Sequence, residues 1–450
     1  KVLELLSLYE VVSGQKINRE KTALFFSKVV TEANRQIIKG ILGVREIHHY
    51  EKYLGLPSLI GRGKKVSFNY LKERVWRKLQ GWEGKLLSQA SREVLIKAVI
   101  QAIPTNAMGC FKLPLGLCNE IEVMVRKFWW GQQGEKRKVH WLKWDEMKKA
   151  KKEGGMGFRD LALHNDSLLA KQAWRLLEDK TSLFYKVFKP RFFPNCTIME
   201  APESSRGSYA WKSILQGRDV IKRGACWRIG DGQKVKVWHH VWLPSKPPAR
   251  ILSPVLEGWE EATVDKLIKE DSRTWDDDVI DGLFAPGEAA IIKSIPLSRF
   301  PTEDKLFWPW TQTGKYNCKS GYRFLKYEDE VSGATEALAE DRNFWRSIWD
   351  LCVPNKIKKF LWRACREVVP TKANLKRRHI MENGRCERCM MEDETTLHAL
   401  WSCSKNRVAW TSSKWNGYQN ISPVNFKELL SWIFKNHGNP ERFAMVTWSL

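Results

Sequence analysis

Four residues near the C-terminal end combine metal-ligating chemistry with metal-ligating spacing. In RCERCMMEDETTLHALWSC, residues 385 to 403, two residues separate Cys386 from Cys389, eight separate Cys389 from His398, and four separate His398 from Cys403. Zinc takes four soft or borderline donors in a tetrahedron; a CxxC turn aims two thiolates at one ion, and a following helix can add a His and a Cys. The convergence of His398 and Cys403 requires that helix to end near Trp401, and Gly384 eases the approach to Cys386. Four protein donors leave no open coordination position, so the expected metal is a structural Zn2+ that folds a small subdomain. Its contribution would be on the order of 10 kcal/mol. The competing reading is two partly buried cysteines and a core histidine. A zinc deaminase would need an H-x-E pattern, whereas Glu394 precedes His398 by four residues.

Other chemistry-bearing groups carry blander readings. WDDDVID, residues 275 to 281, places three carboxylates at what reads as a helix start, where the helix dipole favours negative charge. His239 and His240 have no carboxylate at fixed spacing and read as structural. GGMG, residues 154 to 157, is not followed by Lys-Ser/Thr and does not fit the dinucleotide fingerprint, which excludes a nucleotide phosphate loop. No G-x-S-x-G elbow is present.

These residues need a scaffold, and the composition supplies one. The chain has 450 residues, 43% of them hydrophobic, and 23 Trp, too large an apolar load for a disordered chain. No segment reads as a signal peptide or membrane span, so the expected setting is intracellular, cytoplasm or nucleus. The 10 Cys form no regular disulfide framework, which favours reduced thiols and, for the tight cluster, metal. A net charge of +25 points to a polyanionic partner, nucleic acid being the usual one, against a merely solvated basic surface. Basic residues often flank aromatic ones, as in RKFWWG and KVHWLKW, a mixture suited to phosphate contact plus stacking; for any single Trp the core is the expected place.

Along the chain, KVLELLSLYEVV has helical spacing and stops at Gly14, INREKTALFFS reads as a turn and a strand, and EKYLGLPSLIG as a second strand. From Phe68 four amphipathic patterns follow. The first carries Leu71, Val75 and Leu79 on one face. The second is capped by Ser88 or Ser91 and stopped by Pro104. The third ends at Gly131, and the fourth is capped by Asn165 or Asp166. Residues 191 to 335 are richer in Pro, Gly and Trp and read as β-hairpins turning at Gly230–Gly232 and near Gly314. Helical patterns return after a linker at EVSGATEALAED. The expected fold class is α+β, mainly helical. Both ends fall inside helical or apolar patterns, so the chain reads as a piece of a longer polypeptide.

Several segments together resemble the reverse transcriptases of LINE-type (non-LTR) retrotransposons in their plant form. SGQKINREKTALFFS is similar to a late palm element, and YEKYLGLPSLIGRGKK to the primer-grip region. LQGWEGKLLSQASREVLIKAVIQAIPTNAMGCFKLP, KFWWG, HWLKWDEM, GGMGFRDL and LLAKQAWRLL resemble the helical thumb and its extension. PNKIKKFLWRACREVVPTKANLKRR, running into the Cys/His cluster, resembles the reverse-transcriptase zinc-binding domain. The resemblance implies an end of palm and primer grip over 1–65, a helical thumb bundle and basic extension over 66–190, and a β-hairpin-rich connector over 191–335. A small zinc-stapled helical domain would occupy 336–420, with a truncated segment over 421–450.

It also implies that the catalytic aspartates, in an aromatic-x-Asp-Asp turn, and their Mg2+ lie upstream; the WDDDV run at 275–279 is far downstream and does not match that palm motif, so this chain alone would be catalytically silent. RNA and RNA/DNA hybrid are the implied partners, including the element's own transcript. Lys21 would lie near the incoming nucleotide, and Tyr53, Leu54 and Gly55 at the primer end. Lys97, Lys136, Arg137, Lys138, Lys148, Lys149, Lys151 and Lys152 are the expected duplex-backbone contacts, with Lys358 and Lys359 near nucleic acid in the zinc region. The alternative is a non-enzymatic zinc-containing protein derived from such an element, binding nucleic acid or other proteins.

Overall fold

The computed structural model describes residues 1–27, 29–47, 52–57, 60–61, 63–83, 85, 87–132, 138–203, 207–244, 249–300, 302–332, 339–412, 422–436 and 439–450. Lys136 and Arg137, and the middle of the expected linker, lie outside the described residues. The chain is mainly helical with three two-stranded sheets among the described residues, and it divides into units Lys1–Leu71 and Lys72–Leu450. None of the described helices is long and apolar enough to cross a membrane.

In the first unit, the helix Val2–Ser13 ends at Gly14, whose φ of 68° closes it in the left-handed region that glycine adopts freely. Ala23–Leu24 is the expected strand; it pairs in parallel with Arg45–Glu46 across the helix Glu32–Leu42, which the sequence reading did not anticipate. Glu46 fastens that helix by facing Arg35 at 3.6 Å and Lys39 at 3.2 Å. The expected single strand in EKYLGLPSLIG is instead a hairpin. Lys52–Tyr53 pairs with Leu56–Pro57 around Leu54 and Gly55, at φ 50° and 78°. Two consecutive positive-φ residues make the tight turn whose twist matches antiparallel strands.

In the second unit, Val75 and Leu79 on the helix Lys64–Gln80 are buried as their spacing requires. Ser88 caps Gln89–Ala98 by accepting the Ser91 N–H, and Gly131 (φ 76°) ends Leu115–Trp130. The fourth helix differs from expectation. It starts earlier, at Leu161–Glu178, and its cap is Asp160, which accepts from the N–H groups of Ala162 and Leu163. Asn165 is a fully buried interior residue that accepts from Leu113 N–H and donates to the Met108 and Phe111 carbonyls. Its polar side chain is fully used inside the protein and has no capping role.

Leu161–Glu178 packs on Tyr209–Gly224 so closely that a Cβ on Gly217 would lie 2.3 Å from the Leu169 carbonyl carbon. One core joins Ala170, Ala173 and Trp174 to Trp211, Ile214, Trp308 and Phe324, across the expected boundary near 190. A second core gathers Val235, Val237, Trp242, Val264, Leu267, Trp275 and Ile280. Its tryptophans are internal and their indole N–H groups donate to backbone carbonyls: Trp242 to Val237 and Trp275 to Ile295, each at 2.8 Å.

The two expected hairpins of this region do not form. Cys226–Arg228 pairs antiparallel with Lys305–Phe307, not with the residues after Gly232. The reason is Asp304, a buried carboxylate that accepts from the N–H groups of Gly230 (2.6 Å), Gly232 (3.0 Å) and Lys234 (2.9 Å) and so consumes the donors of the glycine turn. Gly314 does make a turn, with φ 70° and its carbonyl accepting from Trp308 N–H. The following segment is the helix Cys318–Ser332.

Candidate metal centre

The donor atoms of Cys386, Cys389, His398 and Cys403 all lie within 4.8 Å of one another. Among the described residues no other group of three or more His, Cys, Asp or Glu has metal-holding geometry. Cys386 Sγ and Cys403 Sγ are 4.0 Å apart, and Cys389 Sγ is 3.3 Å from His398 Nε2. Sulfurs about 2.3 Å from a tetrahedral zinc would be roughly 3.8 Å apart, so the set fits that ion. All ten cysteines are free thiols, as expected from their scatter.

Local hydrogen bonding builds the cluster. Cys386 N–H donates to the Glu392 carbonyl and Glu394 N–H to the Gly384 carbonyl, so short arms flank the CxxC turn. The turn closes when Met390 N–H reaches the Cys386 carbonyl at 2.8 Å, with Met390 at φ 59°. The N–H groups of Met391 and Glu392, followed by His398 and Cys386, hold the Cys389 thiol down at about 6, whereas burial pushes Cys403 up.

The helix end expected near Trp401 is replaced by a π turn, His398–Ser402, in which Cys403 N–H donates to the His398 carbonyl at 3.0 Å. Five residues of ordinary α-helix would rotate Cys403 about 140° away from His398. The wider i→i+5 turn brings the two back towards one side.

One supporting residue escaped the sequence reading. His398 Nδ1 lies 2.9 Å from Glu392 Oε2, which orients the ring so that Nε2 faces the thiols. The signal was present, because a ligating histidine needs an acceptor on its other nitrogen and EDE at 392–394 offers three carboxylates just upstream.

The expected nucleic-acid residues fall into two groups. Lys97, Lys151 and Lys359 surround the buried Glu93, with Nζ to carboxylate distances of 2.7, 3.0 and 2.7 Å. Burial alone would raise the Glu93 pKa; the ammonium groups of Lys97 and Lys359 outweigh it and hold the carboxyl at about 2. Lys148 is enclosed by Asp160 (2.6 Å), Asp145 (3.0 Å) and Glu122 (3.6 Å), and Lys358 donates to the Trp349 carbonyl. These five lysines are engaged by groups of the protein itself, and only Lys359 among them is buried. Lys21, Lys138, Lys149 and Lys152 are exposed, as is Gly55; Lys149 and Lys152 lie near Glu146 and Glu153. Tyr53 is placed only as a strand residue.

GGMG also gains a role. Gly154, at φ 77°, presses on Trp345 so tightly that a Cβ would lie 2.7 Å from the indole, and its carbonyl accepts from Trp362 Nε1–H at 2.8 Å. The two tryptophans lie on Ala339–Asp350 and Asn355–Cys365, the helices leading into the cluster. On the cluster's other side, Phe426–Asn436 and Pro440–Ser449 pack on Asn355–Cys365, and Phe443 stacks on Trp410 at 5.2 Å.

The Cys3His knuckle has the donor set of a structural zinc site. The family described as "zinc-binding in reverse transcriptase" matches residues 316–410, which contain all four donors. A putative ribonuclease H protein of Arabidopsis thaliana is 30% identical over 410 residues, covering 88% of this chain and 63% of that protein. An uncharacterized mitochondrial protein of the same plant is 40% identical over 148 residues, 33% of this chain and 96% of that protein. The chain thus spans less than two thirds of the longer relative. The chain belongs to one family with this mitochondrial protein, and its residues 316–410 match the zinc-binding segment of reverse transcriptases.

Proposed function

We propose that this chain is the template–primer-handling, zinc-stapled part of a LINE-type reverse transcriptase, binding RNA/DNA hybrid without carrying the polymerase carboxylates. The observation that carries the reading is the four-donor cluster inside the segment matched to the reverse-transcriptase zinc-binding family. Cys386, Cys389, His398 and Cys403 would hold Zn2+, closed to water and therefore structural. A charge of +25 supports a polyanionic partner. The one run of three aspartates is a helix start: Asp276 caps Asp277–Leu283 by accepting the Val279 N–H. It does not form a metal-holding group among the described residues.

The duplex-facing cations in this reading are Lys21, Lys138, Lys149 and Lys152, since the lysines around Glu93 and Lys148 are taken up by internal ion pairs. Mg2+-dependent synthesis would require carboxylates from outside this chain. The test is to measure zinc content together with hybrid binding. The reading expects one zinc per chain under reducing conditions, salt-sensitive binding of RNA/DNA hybrid, and no DNA synthesis by the isolated chain. Absence of zinc, or no hybrid binding at low salt, would sink it.

A further inference from the structure

A cleft of about 650 Å³ opens between the two cores of the second unit, remote in sequence from the cysteine cluster. Its volume lies within the roughly 300–1,000 Å³ range of small-ligand sites. Its floor is aromatic: Trp227, on the strand Cys226–Arg228, is half-buried and stacks on the His240 ring with centroids 5.4 Å apart and planes 23° from parallel. Most tryptophans in this region are sealed in cores, so a partly open indole in a cleft is the exception. His240 Nδ1 accepts the Lys236 N–H at 3.0 Å, and burial lowers its pKa. The ring is therefore neutral with its hydrogen on Nε2, a donor.

The rim is cationic. Lys222 and Arg250 are both exposed at the cleft, and neither forms an ion pair among the described residues. Lys234 is also there, paired with Glu303 at 2.7 Å. Glu200, the one carboxylate lining the cleft among the described residues, accepts the Thr197 N–H at 3.1 Å and is partly spent on its own loop. An aromatic platform, a neutral ring donor and two exposed cations at the mouth match a flat base attached to a phosphate.

We infer that this cleft holds an unpaired nucleotide of single-stranded nucleic acid, its base against Trp227 and His240 and its flanking phosphates at Lys222 and Arg250. A duplex does not fit, because its bases are stacked on each other and are not available to the indole. The inference rests on the nucleic-acid reading above but concerns a different surface and a different form of the polymer, a strand outside the hybrid.

The test uses the full zinc-loaded chain and fluorescein-labelled single strands of about 12 nucleotides, in RNA and DNA versions, read by anisotropy. Trp227→Ala is expected to weaken single-strand binding roughly tenfold and Trp227→Phe to recover most of it, as loss and partial return of one stacked base require. The double variant Lys222→Glu/Arg250→Glu, which leaves the core untouched, is expected to weaken it as well. Blunt RNA/DNA hybrid should bind all variants as it binds the parent. Photo-crosslinking with 4-thiouridine strands should map to peptides containing Trp227 or His240. A preference for RNA over DNA would add a 2′-hydroxyl contact, and equal binding would restrict recognition to base and phosphate. Unchanged single-strand affinity in all variants, or crosslinks elsewhere, overturns the cleft assignment. If hybrid binds and single strands do not, the cleft assignment falls alone; if neither binds, the nucleic-acid reading falls with it.

Discussion

Glu93 and Lys359 meet at 2.7 Å although 266 positions separate them, and both are almost fully buried. Lys97 and Lys151 complete the group, so one carboxylate joins the helix Gln89–Ala98, the turn after Lys151 and the helix Asn355–Cys365. Replacing Glu93 by Gln leaves the buried Lys359 ammonium group without its counter-charge. The expected loss is about 3–5 kcal/mol of unfolding free energy, measured by urea denaturation. A change under about 1 kcal/mol would contradict the burial of the cluster.

The same group makes stability depend on acid. The Glu93 carboxyl is held at about 2 when folded, below its ordinary value of about 4.3. A depressed folded value means stability that is present above the unfolded value and lost as pH falls through the folded one. The melting temperature of the parent should therefore fall faster between roughly pH 4.3 and 2 than that of Glu93→Gln. Parallel curves would refute the assignment.

Metal binding provides a graded series. Cys386→Ser and His398→Ala should each abolish zinc retention and unfold the region around the knuckle. Glu392→Gln keeps all four donors and loses only the charged partner of His398 Nδ1 at 2.9 Å. It should bind zinc about 10–100-fold more weakly, as read by chelator competition. An unchanged zinc affinity in Glu392→Gln would mean that the carboxylate does not orient the ring.

Gly154→Ala tests the docking of the zinc region. A Cβ at φ 77° would be strained and would strike Trp345 at 2.7 Å. The variant should lose more than about 1 kcal/mol in thermal unfolding. Gly258, also at positive φ but with open space around its Cβ position, is the control for backbone strain without the clash.

Charge placement predicts a salt signature. Lys138→Ala and Lys152→Ala remove exposed cations, and each should lower the slope of log affinity for hybrid against log salt by about one. Lys97→Ala should change the slope little and stability much, because its ammonium group donates to Glu93 and to the Met156 carbonyl, both at 2.7 Å.

Elements governed by local rules could be read in the sequence. The helix ends at Gly14 and Gly131, the Ser88 cap, the Val75–Leu79 stripe and the aspartates that open Asp277–Leu283 follow from neighbours within four or five residues. The clustering of Cys386, Cys389, His398 and Cys403 was legible for the same reason, since their spacing is short. What was missed depends on distant partners. Gly230–Gly232 has the composition of a hairpin turn, yet Asp304, more than seventy positions away, takes its N–H groups. Asn165 has the type of a cap, but the carbonyls of Met108 and Phe111 draw it into the core. A run of lysines reads as solvent-facing until Glu93 and Glu122 are seen beneath it.

The π turn between His398 and Cys403 has a consequence for how this region varies among relatives. A π turn is an α turn with one residue added, and an α turn aligns positions four apart. Deleting one residue between these ligands gives His-x3-Cys, which an ordinary helix satisfies; adding one gives a spacing that neither turn satisfies. Natural length variation at this point should therefore fall into two classes, five apart and four apart. The four-apart class should show regular α-helix where this chain has its wide turn. The identities of Ala399, Leu400, Trp401 and Ser402 are then freer to drift than their number.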